Sequence, residues 1–526
     1  MTSRPPDGQS GQPDQAGASR ASRGALIVIG LALAAWLALV VFTASRHEFW
    51  RDEVRALSLV REAGSPLDLY RLIQYDGHPV LWYVLLFIGA SIVDSPLVLP
   101  VTAIVIAFAA VALFMRFAPF PLWFRCLFIF GALPLFEYAV MARNYGITLL
   151  VLFAAAMLYP SRRTHPFRLA VTLALLANTN VHSAMLTGLF AAAWVWDIAR
   201  DQRRRLLPSG LSPYLPLAVV GAGIVLCLVF TMPRENTILT TVRQPKGIGD
   251  AGSALRGALL RPDLTFTEIV PSWVRPKIAV LVLYGAIAGL FMRPNLLLAA
   301  LAAQTVFGVF FRLVYPGWFR HQGLYLAFLV FLYWLLIDSA APRASSGLRR
   351  LVFRGGLYGS VLLLVLFDVS RAPGMVRADI AGTRSASPAL ATFLNGSPEL
   401  QDAILVPEPD FAMESLPYYA ANPIYLPREG RFATTVSWTS ASKPRLTLGE
   451  VLQTARAVRS KSNRPVLIVL APLDLDRGAG EQKYFYGKVF TWSAGEVEEF
   501  RNATTLLGEF DATAGDEDFQ VFALTR

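Results

Sequence analysis

Long apolar runs separated by short basic turns dominate the first 370 or so residues of the chain. A helix needs about 20 apolar residues to cross a bilayer. Runs of that kind lie near 24–44, 96–115, 123–141, 145–160, 168–190, 184–199, 214–232, 277–292, 294–311, 321–338 and 355–370. Two of them overlap, so 168–199 holds either two short helices or one long bent one. A further run, Pro79–Val93, is short for a span and predicts a helix lying flat at the membrane surface. Beyond about residue 378 the pattern changes. Strand-like runs at Ala403–Val406, Pro423–Leu426, Pro465–Leu470 and Gln520–Leu524 are separated in places by helix-like stretches at 447–461 and 494–507. That alternation predicts a small α/β domain. The expected fold is a polytopic α-helical membrane protein with about 11 transmembrane helices over residues 23–371. A C-terminal soluble α/β domain follows over 372–526, and residues 1–22, rich in Gly, Ser, Pro and Gln, predict a disordered tail.

Composition agrees. Hydrophobic residues make up 54% of the 526 positions and charged residues 16%, against about a quarter charged in a soluble domain. The formal charge of +11 does not indicate nucleic acid, because the arginines cluster in short turns between apolar runs, where they signal topology. If Pro79–Val93 lies flat and the N-terminus is cytoplasmic, five basic clusters fall on the cytoplasmic side: Arg116/Arg125, Arg162/Arg163/Arg168, Arg200/Arg203/Arg204/Arg205, Arg293 and Arg343/Arg349/Arg350/Arg354. If it spans, all of them move outside, against the positive-inside tendency. The flat arrangement makes residues 45–95 a first external loop. The Tyr138–Tyr145 junction, the 233–276 loop, the Tyr315–Arg320 turn and the C-terminal domain share its side. The chain is thus expected in a bacterial inner or plasma membrane, with its C-terminal domain extracytoplasmic. Cys126 and Cys227 both sit in apolar stretches and form no metal or redox motif.

The polar residues that carry candidate chemistry fall on that one side. His47-Glu48-Phe49-Trp50-Arg51-Asp52-Glu53 follows the first apolar run directly. Neighbours in sequence point in different directions on any regular element, so Asp52 and Glu53 are expected to do different jobs. One suits a general base; the other could orient it, pair with Arg51 or Arg55, or help hold a divalent cation. The competing reading is an interfacial ion-pair network that includes Arg61, Glu62, Asp68 and Arg71. In Tyr75-Asp76-Gly77-His78-Pro79, Gly77 permits a tight turn and His78 is placed to bond a substrate or phosphate, or else to anchor the turn. In Glu137-Tyr138-Ala139-Val140-Met141-Ala142-Arg143-Asn144-Tyr145, Arg143 matches phosphate geometry, unless it pairs with Glu137. Arg320-His321, after Tyr315-Pro316-Gly317-Trp318, is a second candidate phosphate site, with head-group snorkelling as its alternative. His182, beside Asn178 and Asn180, is a weaker candidate that a polar contact between helices equally explains. The tail has no glycine-rich phosphate fingerprint. Its aromatic residues Tyr418, Tyr419, Trp438, Tyr484, Tyr486 and Trp492 are expected mainly in its core.

An Asp-Glu pair in the first external loop, a Gly-His-Pro start to a flat helix, and an Ala-Arg-x-Tyr junction together resemble the GT-C superfamily of membrane glycosyltransferases. The nearest branch is the protein O-mannosyltransferases and lipid A aminoarabinose transferases (glycosyltransferase family 39-like). The resemblance covers about residues 24–340 in order and topology. It implies that Asp52 is the catalytic base with Glu53 as its acidic neighbour. It further implies that Arg143 meets the substrate and that the donor is a polyprenyl-phosphate sugar; His78, Tyr145, Arg320 and His321 are the other candidate substrate-binding residues. The acceptor would be a protein, lipid or polysaccharide. The chain departs from the family pattern where Val80, rather than a second proline, follows Pro79. The Trp-Trp-Asp signature of oligosaccharyltransferases is absent, which argues against en bloc transfer to asparagine. A lipid or glycan transporter, or a non-catalytic envelope assembly protein, is the competing class. A transporter, however, concentrates its polar groups near the bilayer midplane.

Overall fold

The structure is a computed structural model that describes residues 23–232, 234, 236–237, 248–339, 347–382, 384–513 and 515–525. The expected tail 1–22 and Arg343 lie outside the described residues. Helix α1 (Arg23–Ala44) precedes three helices of the first loop, α2 (Arg51–Glu62), α3 (Pro66–Ile73) and α4 (Leu81–Ile92). The bundle continues with α5 (Val98–Phe117), α6 (Leu122–Ile129), α7 (Tyr145–Leu158), α8 (Pro166–Ala177), α9 (Val181–Arg203) and α10 (Leu215–Thr231). It is completed by α11 (Ile248–Leu260), α12 (Pro276–Ala288), α13 (Pro294–Leu313), α14 (Phe319–Asp338), α15 (Gly347–Arg354) and α16 (Leu362–Ala381).

Among the described residues, seven helical segments are long and apolar enough to cross a membrane: α1, α5, α9, Ser212–Thr231, α13, α14 and the continuous Gly347–Ala381. Four of the other expected spans are shorter or broken. The 123–141 run breaks after Ile129 and resumes as one wide turn over Leu133–Glu137, with Pro134 at its start. Tyr145–Ser161, α8 and α12 are apolar but shorter. The overlapping stretch resolves as two helices, because Asn180 caps α9 by accepting the backbone N–H of Ser183 at 2.9 Å. The flat-helix candidate forms α4, starting at Leu81 rather than Pro79; its 12 residues give about 18 Å of helix, well short of a hydrocarbon core. Helix α14 is the hub of the bundle and is buried along almost its whole length, whereas α1 lies outside, against α5 and α16.

Helix α16 runs on to Ala381, so the compact C-terminal domain begins after it rather than at residue 372. The domain is α/β as expected. Its main sheet has the order β1-β5-β9-β8, with β1 (Ile404–Glu408) parallel to β5 (Val466–Leu470), and β9 (Phe519–Leu524) antiparallel to both β5 and β8 (Thr504–Phe510). Short strands β2 (Tyr425–Leu426) and β3 (Arg431–Phe432) form a hairpin; β4 (Arg445–Thr447), β7 (Val489–Trp492) and β6 (Gly480–Lys483) form a second sheet. Three helices cover the sheets: α17 (Ser387–Gly396), α18 (Leu448–Ser460) and α19 (Ala494–Ala503). The helix expected over 494–507 thus stops at Ala503, where β-branched Thr504 and Thr505 open β8.

Candidate active site

The site is organised around α2, whose three faces do three different things. Arg51, Arg55 and Glu62 fall within about 60° of one another on the helix and meet the C-terminal domain. The Arg51 guanidinium bonds Asp516 at 2.6 and 2.8 Å, its backbone N–H reaches Glu517 at 2.9 Å, and Glu62 accepts from Thr434 N–H at 3.0 Å. Arg55 joins Asp76 and Glu414 and donates to the Val436 carbonyl at 3.0 Å. One turn of α2 therefore ties the tail to the loop that carries His78.

Glu53 lies on another face and is fully buried, 0% exposed. Its carboxylate accepts the backbone N–H of Ala142 at 2.7 Å and faces His47 Nε2 at 3.1 Å. It also accepts the Trp50 N–H at 3.4 Å, closing the helix start as a capping glutamate does. Expected as a catalytic group beside Asp52, Glu53 is instead sealed inside; both oxygens are occupied and no side of it meets solvent. It fixes the 138–144 junction next to α2. The other edge of His47 meets Asp379 at 2.9 Å, and Arg384 Nε meets Asp379 at 3.0 Å. Burial resists charge on His47, but the flanking Glu53 and Asp379 carboxylates outweigh it and raise the imidazole to about 9.

Asp52 points between these faces, with its side chain 39% exposed, and meets Arg143 at 2.8 Å. Burial favours the neutral acid, but Arg143, with Arg51 and Arg320 behind it, holds the carboxyl below its usual value. Asp52 is thus a carboxylate at any physiological pH. Arg143 chooses Asp52 rather than Glu137 and lies 5.9 Å over the Tyr145 ring. Gly146 is what lets α7 start so close to this junction: a Cβ there would stand 2.5 Å from the Tyr138 carbonyl oxygen.

Arg320 lies 5.9 Å over the Trp50 ring, and its buried Nε has no acceptor. Among the described residues no carboxylate lies within ion-pair distance of it. It nonetheless contributes to the field at both Asp52 and Glu137. His321 packs against Tyr145 (5.6 Å), Tyr315 (5.4 Å) and His182 (4.9 Å). Its Nδ1 accepts the Trp318 N–H at 3.1 Å, which leaves Nε2 as the N–H donor. His182 sits among Phe307, Phe310 and Phe311 with its Nε2 unpartnered. The asparagines beside it serve the α8–α9 break instead. His78 is held through Nδ1 by the Asp76 carbonyl (2.9 Å) and carboxylate (3.2 Å), on a turn that Gly77 makes with φ 69°. It stands within electrostatic reach of His182 and His321.

The structure therefore brings Asp52, Arg143, Tyr145, Arg320 and His321 into one cluster, with His78 at its margin and Glu53 behind it. Sequence reading passed over the buried partners: His47 as a bridge, Asp379, and the grip of the C-terminal domain on α2. No local pattern announces them, because His47 and Asp379 are 332 positions apart. Among the described residues no group of three or more His, Cys, Asp or Glu side chains is arranged to hold a metal ion. The acidic pair does not fit one either, since Arg143 engages Asp52 while His47 and Ala142 engage Glu53.

The tail aromatics are mostly internal. Trp438 and Tyr484 pack against Phe411, and Trp492 packs against Phe490. Tyr418 and Tyr419 reach the first loop, where the Tyr419 hydroxyl bonds the backbone of Phe49.

No family model and no curated protein matches the chain. Among solved structures it is similar to the crystal structure of ArnT from Cupriavidus metallidurans bound to undecaprenyl phosphate. The alignment has 14% identity and a TM-score of 0.42, covering 96% of this chain and 98% of that one.

Proposed function

We propose that the chain is a membrane glycosyltransferase of the GT-C kind, moving one sugar from a polyprenyl-phosphate donor to an acceptor hydroxyl on the extracytoplasmic face. The observation that carries this reading is the grouping at one end of an apolar bundle: an ionised, half-exposed carboxylate, Asp52, faced by Arg143 and by Arg320, which has no carboxylate within ion-pair distance among the described residues. A base beside two guanidinium groups, at the mouth of a lipid-facing bundle, suits a substrate with a hydroxyl on one side and a lipid phosphate on the other.

In this reaction the acceptor oxygen attacks the anomeric carbon while its proton passes to an Asp52 oxygen. The bond from the anomeric carbon to the phosphate oxygen breaks, and its electron pair leaves with polyprenyl phosphate. Arg143 and Arg320 hold the charge that develops there. A carboxylate held below its usual value is a weak base, which suffices when bond breaking leads and the transition state resembles an oxocarbenium ion. The donor phosphate also competes with Asp52 for Arg143, so binding of the donor makes the base stronger as it is needed. The His321 Nε2–H and the Tyr145 hydroxyl add donors to the same cluster. Glu53 acts through the backbone of Ala142 as a positioning residue.

The test is transfer of labelled sugar from membrane-extracted polyprenyl-phosphate donors by the purified protein, wild type against Asp52→Asn. Loss of a general base predicts a fall of about 10²–10⁴-fold; asparagine can still accept from Arg143, so the protein should stay folded with a thermal midpoint lowered by the lost ion pair. Equal transfer by a folded Asp52→Asn protein would remove Asp52 from the chemistry.

A further inference from the structure

The bundle end opposite the candidate active site carries a second concentration of charge, around a cavity of about 390 Å³ where α7, α9, α13 and α14 come together. Asp197, Arg200 and Asp201 share one face in the last turns of α9, and Arg204 follows directly after its end. The two aspartates are buried and hold arginines of α9 and of its neighbours. Asp201 takes Arg163 through two bonds of 2.7 Å, and Asp197 takes Arg293 at 2.8 Å and Arg200 at 2.7 Å. Tyr159 closes the wall, and Arg162 lies 4.2 Å over its ring.

An ion-pair network that merely pinned helix ends would balance its charges and satisfy its donors. This one does neither. Among the described residues in the wall and directly behind it, five arginines (162, 163, 200, 204 and 293) stand against three carboxylates (Asp197, Asp201 and Asp338), an excess of two positive charges. Arg204 has no carboxylate within ion-pair distance among the described residues. Arg293 has a side chain only 8% exposed, and its Nε, like that of Arg200, is buried without an acceptor. An unmet buried donor is costly, and two of them, on arginines that line a cavity with an excess of positive charge, point to an anion. The exposed Trp196, one to two turns before the end of α9, is of the type that gathers at head-group level in a membrane interface.

We propose that this cavity binds a phosphate group, carried by an anionic phospholipid of the leaflet at that end of the bundle. The arginines meet the phosphodiester oxygens, and the acyl chains lie along the apolar outer faces of the neighbouring helices. Guanidinium forks suit such an oxygen set better than a carboxylate or a halide would. The site is independent of the transfer reaction and stands or falls without it.

The experiment uses the full-length protein in detergent, titrated with a short-chain phosphatidylglycerol, with the phosphatidylcholine of the same chains, and with inorganic phosphate. Bound lipid is counted by native mass spectrometry. Phosphatidylglycerol should bind near one-to-one and phosphatidylcholine much more weakly. Arg204→Gln, which breaks no ion pair, should weaken phosphatidylglycerol by roughly tenfold. Arg168→Gln, which removes the same charge from the exposed start of α8 at the same end, should leave binding unchanged. Equal weakening by both variants would mean a general attraction to a basic surface and overturn the site. Indifference to the head group would do the same. Full displacement by millimolar inorganic phosphate, with no advantage for the lipid, would overturn the lipid as the ligand and assign the cavity to free phosphate.

Discussion

His47 is a buried cation held between two carboxylates, and removing it should leave a specific trace in stability against pH. Its folded value is raised from 6.5 to about 9, because Glu53 and Asp379 outweigh the opposing effect of burial. A group raised on folding stabilises fully below its unfolded value and loses that contribution as pH climbs through the folded one. The rise corresponds to on the order of 3 kcal/mol, present near pH 6 and gone above about pH 9. His47→Gln keeps the shape and part of the hydrogen bonding but removes the charge. Breaking a buried pair costs about 3–5 kcal/mol. The lower end applies here, because Asp379 keeps Arg384 at 3.0 Å and Glu53 keeps the Ala142 N–H at 2.7 Å. The assay is thermal unfolding of the purified protein in detergent from pH 6 to 10. The wild type should lose stability steadily from about pH 7 to 9, and His47→Gln should start lower and stay flat across that window. If both proteins decline in parallel, His47 is not the charged bridge and the account of this knot is wrong.

Arg143→Gln removes the main cation beside Asp52, so the carboxyl should rise toward its ordinary value and the acid limb of transfer rate against pH should move upward. The lowered Asp52 value also contributes stability above its unfolded value, lost as pH falls through the folded one. An unmoved acid limb would show that another group sets it. Arg320→Gln should cost at most about 1 kcal/mol of stability, that of its contact with Trp50, while raising KM for the donor; steady-state kinetics with an unchanged KM would take Arg320 out of the phosphate site. Gly146→Ala should destabilise by about 1–3 kcal/mol, because its Cβ would meet the Tyr138 carbonyl oxygen at 2.5 Å. A thermal midpoint equal to wild type would deny that close approach.

What could be read from the chain beforehand follows the range over which each signal acts. The apolar runs marked nearly every membrane helix, because a hydrophobic stretch is a local property that the bilayer itself interprets. Helix ends were less legible where one side chain decides them, as with Asn180 at the start of α9 or Thr504 at the end of α19. The cluster of Asp52, Arg143, Tyr145, Arg320 and His321 could be assembled from topology, since alternation of the spans puts all five at the same end. Which carboxylate faced the opening came only from the family resemblance, not from the two residues themselves. Asp52 and Glu53 have the same chemistry and adjoining positions, and only the packing of His47, Ala142 and Asp379 separates them. The tail aromatics show the same limit. Trp438 and Tyr484 turned inward as composition suggested, but nothing in Tyr419 foretold its bond to Phe49.

The arrangement of α2 gives the C-terminal domain a purpose that its own sequence does not. A short, charged helix lying against a membrane bundle has little apolar surface to hold it in one place, and a base displaced by about 1 Å can cost about 10²-fold in rate. Here position is fixed from two directions at once. Glu53 anchors α2 to the 138–144 junction and, through His47, to Asp379 at the end of α16. Arg51, Arg55 and Glu62 anchor it to Asp516, Glu414 and Thr434 of the domain above. Asp52 is the residue between these two sets of contacts, so its bearing on Arg143 is set by both. A domain with no catalytic signature of its own can then still determine the geometry of the site. It does so by clamping the helix that carries Asp52, the proposed base, and the Arg55 link to Asp76 extends the same clamp to the turn bearing His78.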